Sequence, residues 1–143
     1  MRALFDTSVL VAALVKSHPF HSRAFPWYLK CRRGELRMLV AAHGLAETYA
    51  ALTAYPSRPR VSPGTAMTLV RESVVAVATV VALDAHDYVA AMAAVAGIGR
   101  GGGSIYDALH VVAAQKGGAE MLFSFNRKHF EPLLAPTQQF IDL

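Results

Sequence analysis

The sequence predicts a three-layer α/β/α fold, in which helices cover both faces of a central parallel sheet of four to five strands. Short apolar runs alternate with longer stretches of helical character along the whole chain. Such alternation is typical of parallel strands joined by helical crossovers. An apolar share of 54% supplies side chains for two buried faces. At 143 residues the chain is expected to form a single domain spanning residues 1–143.

The predicted strands are short, apolar and poor in charge. Arg2–Phe5 is too short for a helix and suits a buried parallel strand. Val77–Leu83 is the most strand-like segment, because it is rich in valine and uncharged. We expect strands at Arg2–Phe5, Arg37–Val40, Val77–Leu83 and Glu120–Ser124, with Gln138–Ile141 as a last strand.

The predicted helices are recognised by apolar spacing and by their end signals. Ser22–Arg33 closes with basic residues followed by Gly34, which is an ordinary helix stop. Pro63 is tolerated because it begins its helix. The expected helices are Thr7–Val15, Ser22–Arg33, His43–Tyr55, Pro63–Glu72, a helix from Asp84 to about Ala96, Ile105–Lys116 and a short turn at Arg127–Pro132.

Composition limits the partners and the compartment. A formal net charge of +4 permits a polyanionic partner without requiring one. The one cysteine, Cys31, excludes an internal disulfide and suits a reducing cytosol. The longest uncharged apolar stretch, Ser73–Leu83, is about half of a membrane-spanning helix. Asp6 interrupts the only candidate core of a signal peptide. We therefore expect a cytoplasmic protein without a membrane anchor.

Acidic residues recur near the ends of the predicted elements. Asp6 directly follows the first strand, whereas Glu47 and Asp107 lie in the first turns of helices that begin near the same edge. In open parallel sheets, ligand sites form at the carboxyl ends of the strands. Carboxylates that crowd together repel one another, and a hard divalent cation is the usual compensation. The pattern predicts a Mg²⁺ or Mn²⁺ site, to which Asn126 adds a fourth oxygen after the strand Met121–Ser124.

Each of these residues also has a purely structural interpretation. Asp6 could cap the helix that begins at Thr7 or Ser8. The segment Ser104–Asp107 has the form of a capping box. Glu47 could be a solvated helix residue, and Asn126 could only end a strand. Their joint placement at successive element ends favours the metal site.

Four segments of the chain resemble the motifs of PIN-domain ribonucleases, in the family's order. Leu4–Leu10 resembles the opening motif, and Leu45–Glu47, Tyr106–Leu109 and Ser124–Phe130 resemble the later ones. The resemblance covers nearly the whole chain. Size and motif spacing are most similar to the VapC toxins of bacterial VapBC toxin–antitoxin pairs.

The resemblance implies a metal-dependent endoribonuclease that hydrolyses RNA phosphodiester bonds, forms a homodimer and is held by a VapB-like antitoxin. By position, Asp6, Glu47 and Asp107 take the roles of catalytic, metal-binding carboxylates. Asn126 stands where the family often has an aspartate, which puts a second metal ion in doubt. Ser8 takes the place of the small polar residue that supports the first aspartate.

Further residues are weaker candidates. Ser124 and His129 flank Asn126 and could support it or contact a phosphate. A glycine-rich loop at residues 97–103 would let Arg100 approach a phosphate, and Arg127 belongs to a basic patch that could do the same. The loop also matches the glycine spacing of a dinucleotide-binding fingerprint. That fingerprint requires a strand before the loop, whereas a helix is predicted there.

The sequence leaves two other functions and one other metal to consider. Asn126 leaves open a catalytically inactive module that only binds RNA or an antitoxin. A phosphatase-type α/β hydrolase would need a second aspartate at the position of Ser8, which counts against it. Zinc is disfavoured, because His18 and His21 lack further ligands nearby and the other histidines fall on separate predicted elements. Those histidines are His43, His86, His110 and His129.

Overall fold

A five-stranded parallel sheet with the order β3-β2-β1-β4-β5 forms the centre of the computed structural model, which describes all 143 residues. All four pairings between neighbouring strands are parallel. The strands are β1 Arg2–Phe5, β2 Arg37–Ala41, β3 Thr79–Val81, β4 Met121–Ser124 and β5 Gln139–Asp142. The predicted α/β class with a parallel sheet of four to five strands is confirmed, and the fifth strand is formed.

Helices connect the strands and cover the sheet. They are α1 Thr7–Leu14, α2 His21–Arg32, α3 Ala42–Ala54, α4 Pro63–Leu69, α5 Ala85–Gly97, α6 Ser104–Lys116 and α7 Arg127–Phe130. A π-helical turn at Val70–Val75 continues α4, and a 3₁₀ turn at Glu131–Leu133 continues α7. None of these helices combines the length and the apolar character that crossing a lipid bilayer requires.

Alternation along the strands builds two separate cores. Ala3 and Phe5 of β1 point to the face covered by α1 and α2, where Phe5 packs against Phe123 with 5.0 Å between ring centroids. Leu4 points to the opposite face, which α6 covers. Successive side chains of a strand point to opposite faces, so a fully apolar strand must be covered on both. Burial of each large side chain contributes roughly 1.5–3 kcal/mol.

Strand order determines where a ligand can bind. From central β1 the chain adds β2 and β3 on one side, then returns to place β4 on the other side of β1. The strand order therefore reverses between β1 and β4, and the carboxyl ends of these two strands flank a natural crevice. The backbone N–H of Asp6 donates to the carbonyl of Phe123 at 3.2 Å and closes the ladder at this point.

The region around β3 differs from its prediction. The strand expected at Val77–Leu83 pairs only over Thr79–Val81, and the helix expected to end at Glu72 continues as a π turn to Val75. Val74 is fully buried in the core beneath α1 and α2, and the carbonyl of Ser73 accepts a 2.8 Å hydrogen bond from the Tyr28 hydroxyl. Tertiary packing thus overrides the strand preference of a valine-rich segment.

Cys31 offers a test of core integrity. Its thiol is buried, and burial raises its pKa from 9.0 to about 12. Because the neutral thiol is favoured by folding, its contribution to stability is present below about pH 9 and is lost as the pH rises towards 12. At pH 8, iodoacetamide should modify Cys31 slowly in the folded protein and rapidly in denaturant, as followed by mass spectrometry. Equal rates in both conditions would contradict a buried thiol.

Candidate active site

Asp6 lies at the end of β1 and is almost completely buried, with an exposure of 3%. Its Oδ1 accepts from the Val9 N–H at 3.0 Å, so Asp6 is the N-cap of α1. The Ser8 hydroxyl donates to the same oxygen at 2.7 Å, and the Ser124 hydroxyl donates to Oδ2 at 2.6 Å. Asp6 thus caps a helix and also presents a carboxylate at the sheet edge. Burial raises its pKa, whereas the charge of His110 and these three hydrogen bonds lower it.

The two serines extend the network to the loop after β4. The Ser8 hydroxyl accepts from the N–H of Phe125 at 3.5 Å, and the Ser124 hydroxyl accepts from the N–H of Asn126 at 3.0 Å. The loop is therefore fixed to both oxygens of Asp6 through one serine on each side. This linkage places Asn126 on the wall of the same pocket.

Glu47 lies in the second turn of α3, between two imidazoles. Its Oε1 is 2.9 Å from His43 Nε2 and 3.2 Å from His110 Nε2. Partial burial opposes ionisation of this carboxyl. The contacts and positive charge of His110 and His43 outweigh that effect and lower the pKa of Glu47 to about 2. Glu47 is therefore an anion throughout the neutral range.

Asp107 lies in the first turn of α6 and does not cap it. The N-cap is Gly103, which has no side chain, so the capping box expected at Ser104–Asp107 is absent. A true capping box begins α5 instead, at Asp84 and Asp87. Without a capping role, the Asp107 carboxylate faces the pocket and lies 3.4 Å from His129 Nδ1.

The three carboxylates are close enough to influence one another. Burial raises the pKa of Asp107, the charges of His129 and His110 lower it, and the nearby anions Asp6 and Glu47 raise it again. The carboxylates of Asp6, Glu47 and Asp107 all line one open pocket of about 400 Å³ beside the carboxyl ends of β1 and β4. The pocket is lined by Asp6, Thr7, Ser8, Val11, His18, Phe20, Glu47, Ala51, Asp107, His110, Phe125 and Asn126.

The donor set fits a hard divalent cation. Carboxylate and amide oxygens are the ligands that Mg²⁺ and Mn²⁺ prefer. Burial raises the pKa of Asp6 and of Asp107, which means that the surrounding protein does not fully compensate their negative charges. A bound cation would provide that compensation.

The weaker candidates lie outside the pocket. Arg100 donates to the carbonyls of Lys128 and His129, at 3.1 and 3.2 Å. Arg127 pairs with Asp142 at 3.2 Å, and its guanidinium lies over a phenylalanine ring. These contacts hold both guanidinium groups outside the pocket, and a substrate role for either arginine stays a prediction.

Two histidines that the sequence interpretation treated as unrelated meet in the structure. His43 and His110 lie on α3 and α6, yet their ring centroids are 4.4 Å apart. The expectation that the histidines stay apart is wrong for this pair, because both helices begin at the same edge of the sheet. A signal was present in the spacing, since His43 precedes Glu47 by four residues and His110 follows Asp107 by three. Such residues share a helix face.

The hydrogen bond from Ser124 should contribute measurably to stability. Ser124→Ala removes one donor from a buried carboxylate, and we expect the free energy of unfolding to fall by about 1–3 kcal/mol. Denaturant titration followed by circular dichroism measures the change. Ser22→Ala, on the exposed side of α2, is the matched control. Equal stability of the two variants would contradict a structural role for this hydrogen bond.

Comparisons with known proteins agree with this geometry. The family model described as PIN domain matches residues 3–132. Among curated proteins, "Ribonuclease VapC27" of Mycobacterium tuberculosis is 31% identical over 116 residues, which are 81% of this chain and 79% of that protein.

Solved structures share the fold at lower identity. The M. tuberculosis toxin VapC20, described as cleaving the sarcin-ricin loop, matches with a TM-score of 0.68 and 18% identity, over 93% of this chain and 96% of that one. VapBC2 from Rickettsia felis, bound to a DNA fragment from its promoter, matches with a TM-score of 0.67 and 15% identity, over 100% and 99% of the two chains. With the family match over residues 3–132, the chain belongs to the PIN domain family.

Proposed function

We propose that this protein is a metal-dependent endoribonuclease that hydrolyses RNA phosphodiester bonds as the toxin of a type II toxin–antitoxin pair. The observation that carries the proposal is the convergence of Asp6, Glu47 and Asp107 on one open pocket at the carboxyl ends of β1 and β4. Its relative VapC27, which is 31% identical, is named a ribonuclease. The formal net charge of +4 suits a polyanionic substrate.

Asp6, Glu47 and Asp107 are the residues that would hold Mg²⁺ or Mn²⁺, and Asn126 adds a neutral oxygen to the same wall. When bound there, such a cation would make an attacking water more acidic and would neutralise charge that develops on the phosphate. Ser8 and Ser124 fix both oxygens of Asp6, so that this carboxylate needs little reorganisation to bind.

The carboxylates differ in what they offer the reaction. Glu47, with a pKa of about 2, is a permanent anion and a poor proton acceptor. Asp107 is better placed to act as a base, because its side chain keeps 25% exposure to solvent, whereas Asp6 is buried and engaged by three hydrogen bonds. We assign Asp107 to accept the proton of the attacking water. The new bond joins that water's oxygen to phosphorus as the bond to the 3′ oxygen breaks. The leaving 3′ oxygen takes a proton from solvent, which gives a 5′-phosphate and a 3′-hydroxyl.

The biological setting follows from the relatives and stays part of the proposal. The structural neighbour VapC20 is named a toxin and another neighbour is named VapBC2, and by analogy this chain would bind a VapB-like antitoxin that blocks its pocket. In this proposal the protein is a homodimer. It acts in the cytoplasm, where its RNA substrate is found. A catalytically inactive binding module is the alternative, which the neutral Asn126 favours.

Removal of the central carboxylates tests the nuclease assignment. Asp6→Asn and Asp107→Asn should each lower RNA cleavage by antitoxin-free protein at least about a hundredfold, or about 2.7 kcal/mol in the activation barrier. Glu35→Gln, which changes an exposed carboxylate, should cleave like the parent protein. Cleavage is measured with structured RNA on denaturing gels, with Mg²⁺ or Mn²⁺ and with chelator.

Each other outcome of that assay has a definite meaning. Cleavage that survives in chelator would remove the metal from the reaction. Full cleavage by both asparagine variants would show that the site is assigned to the wrong residues. If no RNA is cut although RNA and metal bind normally, the protein is a binding module.

The amide of Asn126 sets how tightly the ion is held. Asn126→Asp adds a fourth negative charge, so it should lower the melting temperature without metal, because the carboxylates repel one another. It should also bind Mg²⁺ several-fold more tightly, because a charged oxygen replaces a neutral one. Isothermal titration calorimetry measures the affinity, with Asn126→Ala as the control that removes the oxygen. Equal Mg²⁺ affinity in all three proteins would exclude Asn126 from the ion's ligands.

A further inference from the structure

Three side chains from two helices direct their polar atoms to one point beside the carboxylate pocket. His43 and Glu47 come from α3, and His110 comes from α6. One ligand atom of each lies within 4.8 Å of the others. The Glu47 oxygen is the central atom, at 2.9 and 3.2 Å from the two imidazole nitrogens.

These atoms lack the partners that buried polar groups normally have. His110 is only 2% exposed, and its Nδ1 is buried without a hydrogen bond. His43 Nε2 and Glu47 Oε1 are also buried, and despite their short separation they lack the alignment of a hydrogen bond. An ion at this point would give a partner to His43 Nε2 and to Glu47 Oε1, and His110 would bind it through Nε2, the nitrogen that lies nearest Glu47.

A glycine in α3 makes room for the His110 ring. A Cβ atom on Gly44 would lie 3.1 Å from His110 Cε1, which is closer than ordinary van der Waals contact. Glycine at this position lets the His110 ring approach α3. The absence of a side chain at Gly44 therefore allows α3 and α6 to pack with the His110 imidazole between them.

The chemistry of the three ligands selects the ion. Two imidazole nitrogens with one carboxylate oxygen are a ligand set of Zn²⁺, whereas Mg²⁺ prefers oxygen alone. Nitrogen and oxygen ligands on a tetrahedral zinc ion lie about 3.3 Å apart, given bonds of about 2.0–2.1 Å. The observed distances of 2.9 and 3.2 Å need only small adjustments to reach that separation.

We propose that His43, Glu47 and His110 form a second metal site, for a transition-metal ion of the zinc class, and that this ion inhibits RNA cleavage by withdrawing Glu47 from the carboxylate pocket. Binding of the ion does not depend on the proposed nuclease function; only the inhibition rests on it. Glu47 is the shared residue, because it lines the pocket and also touches both histidines.

A second cluster with metal-ligand residues provides the contrast. Asp84, His86 and Asp87 also bring ligand atoms within 4.8 Å, but Asp84 and His86 are exposed and the carboxylates are already engaged. Asp84 and Asp87 form the capping box of α5, and Asp87 pairs with Lys116 at 2.6 Å. His86→Ala is therefore the matched control, because it removes a histidine that is exposed and is not expected to bind the ion.

Binding is tested first, on chelator-treated full-length protein without RNA. Zn²⁺ is titrated by calorimetry, and Co²⁺ is titrated by visible absorption as a reporter of nitrogen ligands. We expect one equivalent to bind, and His43→Gln and His110→Gln to weaken binding by at least about tenfold. His86→Ala should bind like the parent protein. Near-ultraviolet circular dichroism verifies folding, and His43→Gln remains informative if the His110 variant does not fold, because the His43 side chain is less completely buried than that of His110.

Inhibition is tested second, in excess Mg²⁺ with increasing Zn²⁺, with each protein scaled to its own zinc-free cleavage. The parent protein and His86→Ala should lose cleavage as zinc saturates the site, while His43→Gln should need at least about ten times more zinc. Asp6→Asn separates the two proposals, because it should lose cleavage and still bind Co²⁺ with the parent spectrum.

Several results would overturn the inference. Absence of Zn²⁺ binding by the parent protein would remove the site. Unchanged binding in His43→Gln and His110→Gln would locate the ion elsewhere. If zinc binds at these residues and RNA cleavage is unaffected or increased, the proposal that the ion inhibits cleavage would be overturned.

Discussion

The buried carboxylate of Asp6 is the interaction on which this edge of the molecule depends. A buried charge is costly unless several donors stabilise it. Here the donors come from the start of α1, from Ser8 and from Ser124 at the end of β4. The two serines in turn accept from the backbone of the following loop. The pocket wall is therefore assembled by the same hydrogen bonds that join β1, α1 and β4.

Much of this could be predicted from the sequence, because the relevant signals are local. Asp6 directly follows an apolar run, so its position at a strand end needs no tertiary information. The parallel sheet follows from the alternation of strands and helices, and a parallel sheet brings strand ends to one edge. Proximity of Asp6, Glu47 and Asp107 is then a consequence of topology. The expected single domain stays a prediction, since the fold alone does not test it.

What the sequence did not predict depends on contacts between distant segments. His43 and His110 are separated by most of the chain, and only the packing of α3 and α6 brings their rings together. The shorter β3 reflects a tertiary preference, because burial of Val74 extends the preceding helix at the expense of the strand. The glycines around Arg100 suggested that this side chain could approach a phosphate, which stays a prediction, and its contacts with α7 were not foreseen.

The contact of Arg100 with α7 has a mechanical consequence for the pocket. A helix of only four residues has little stability of its own. Arg100 donates to two of the helix's carbonyls, on Lys128 and His129, which otherwise face solvent. One arginine thus couples the loop that precedes α6, and hence Asp107, to the segment that follows Asn126. Together with the 3.4 Å contact between Asp107 and His129, this side chain ties the two walls of the opening to each other from outside the pocket.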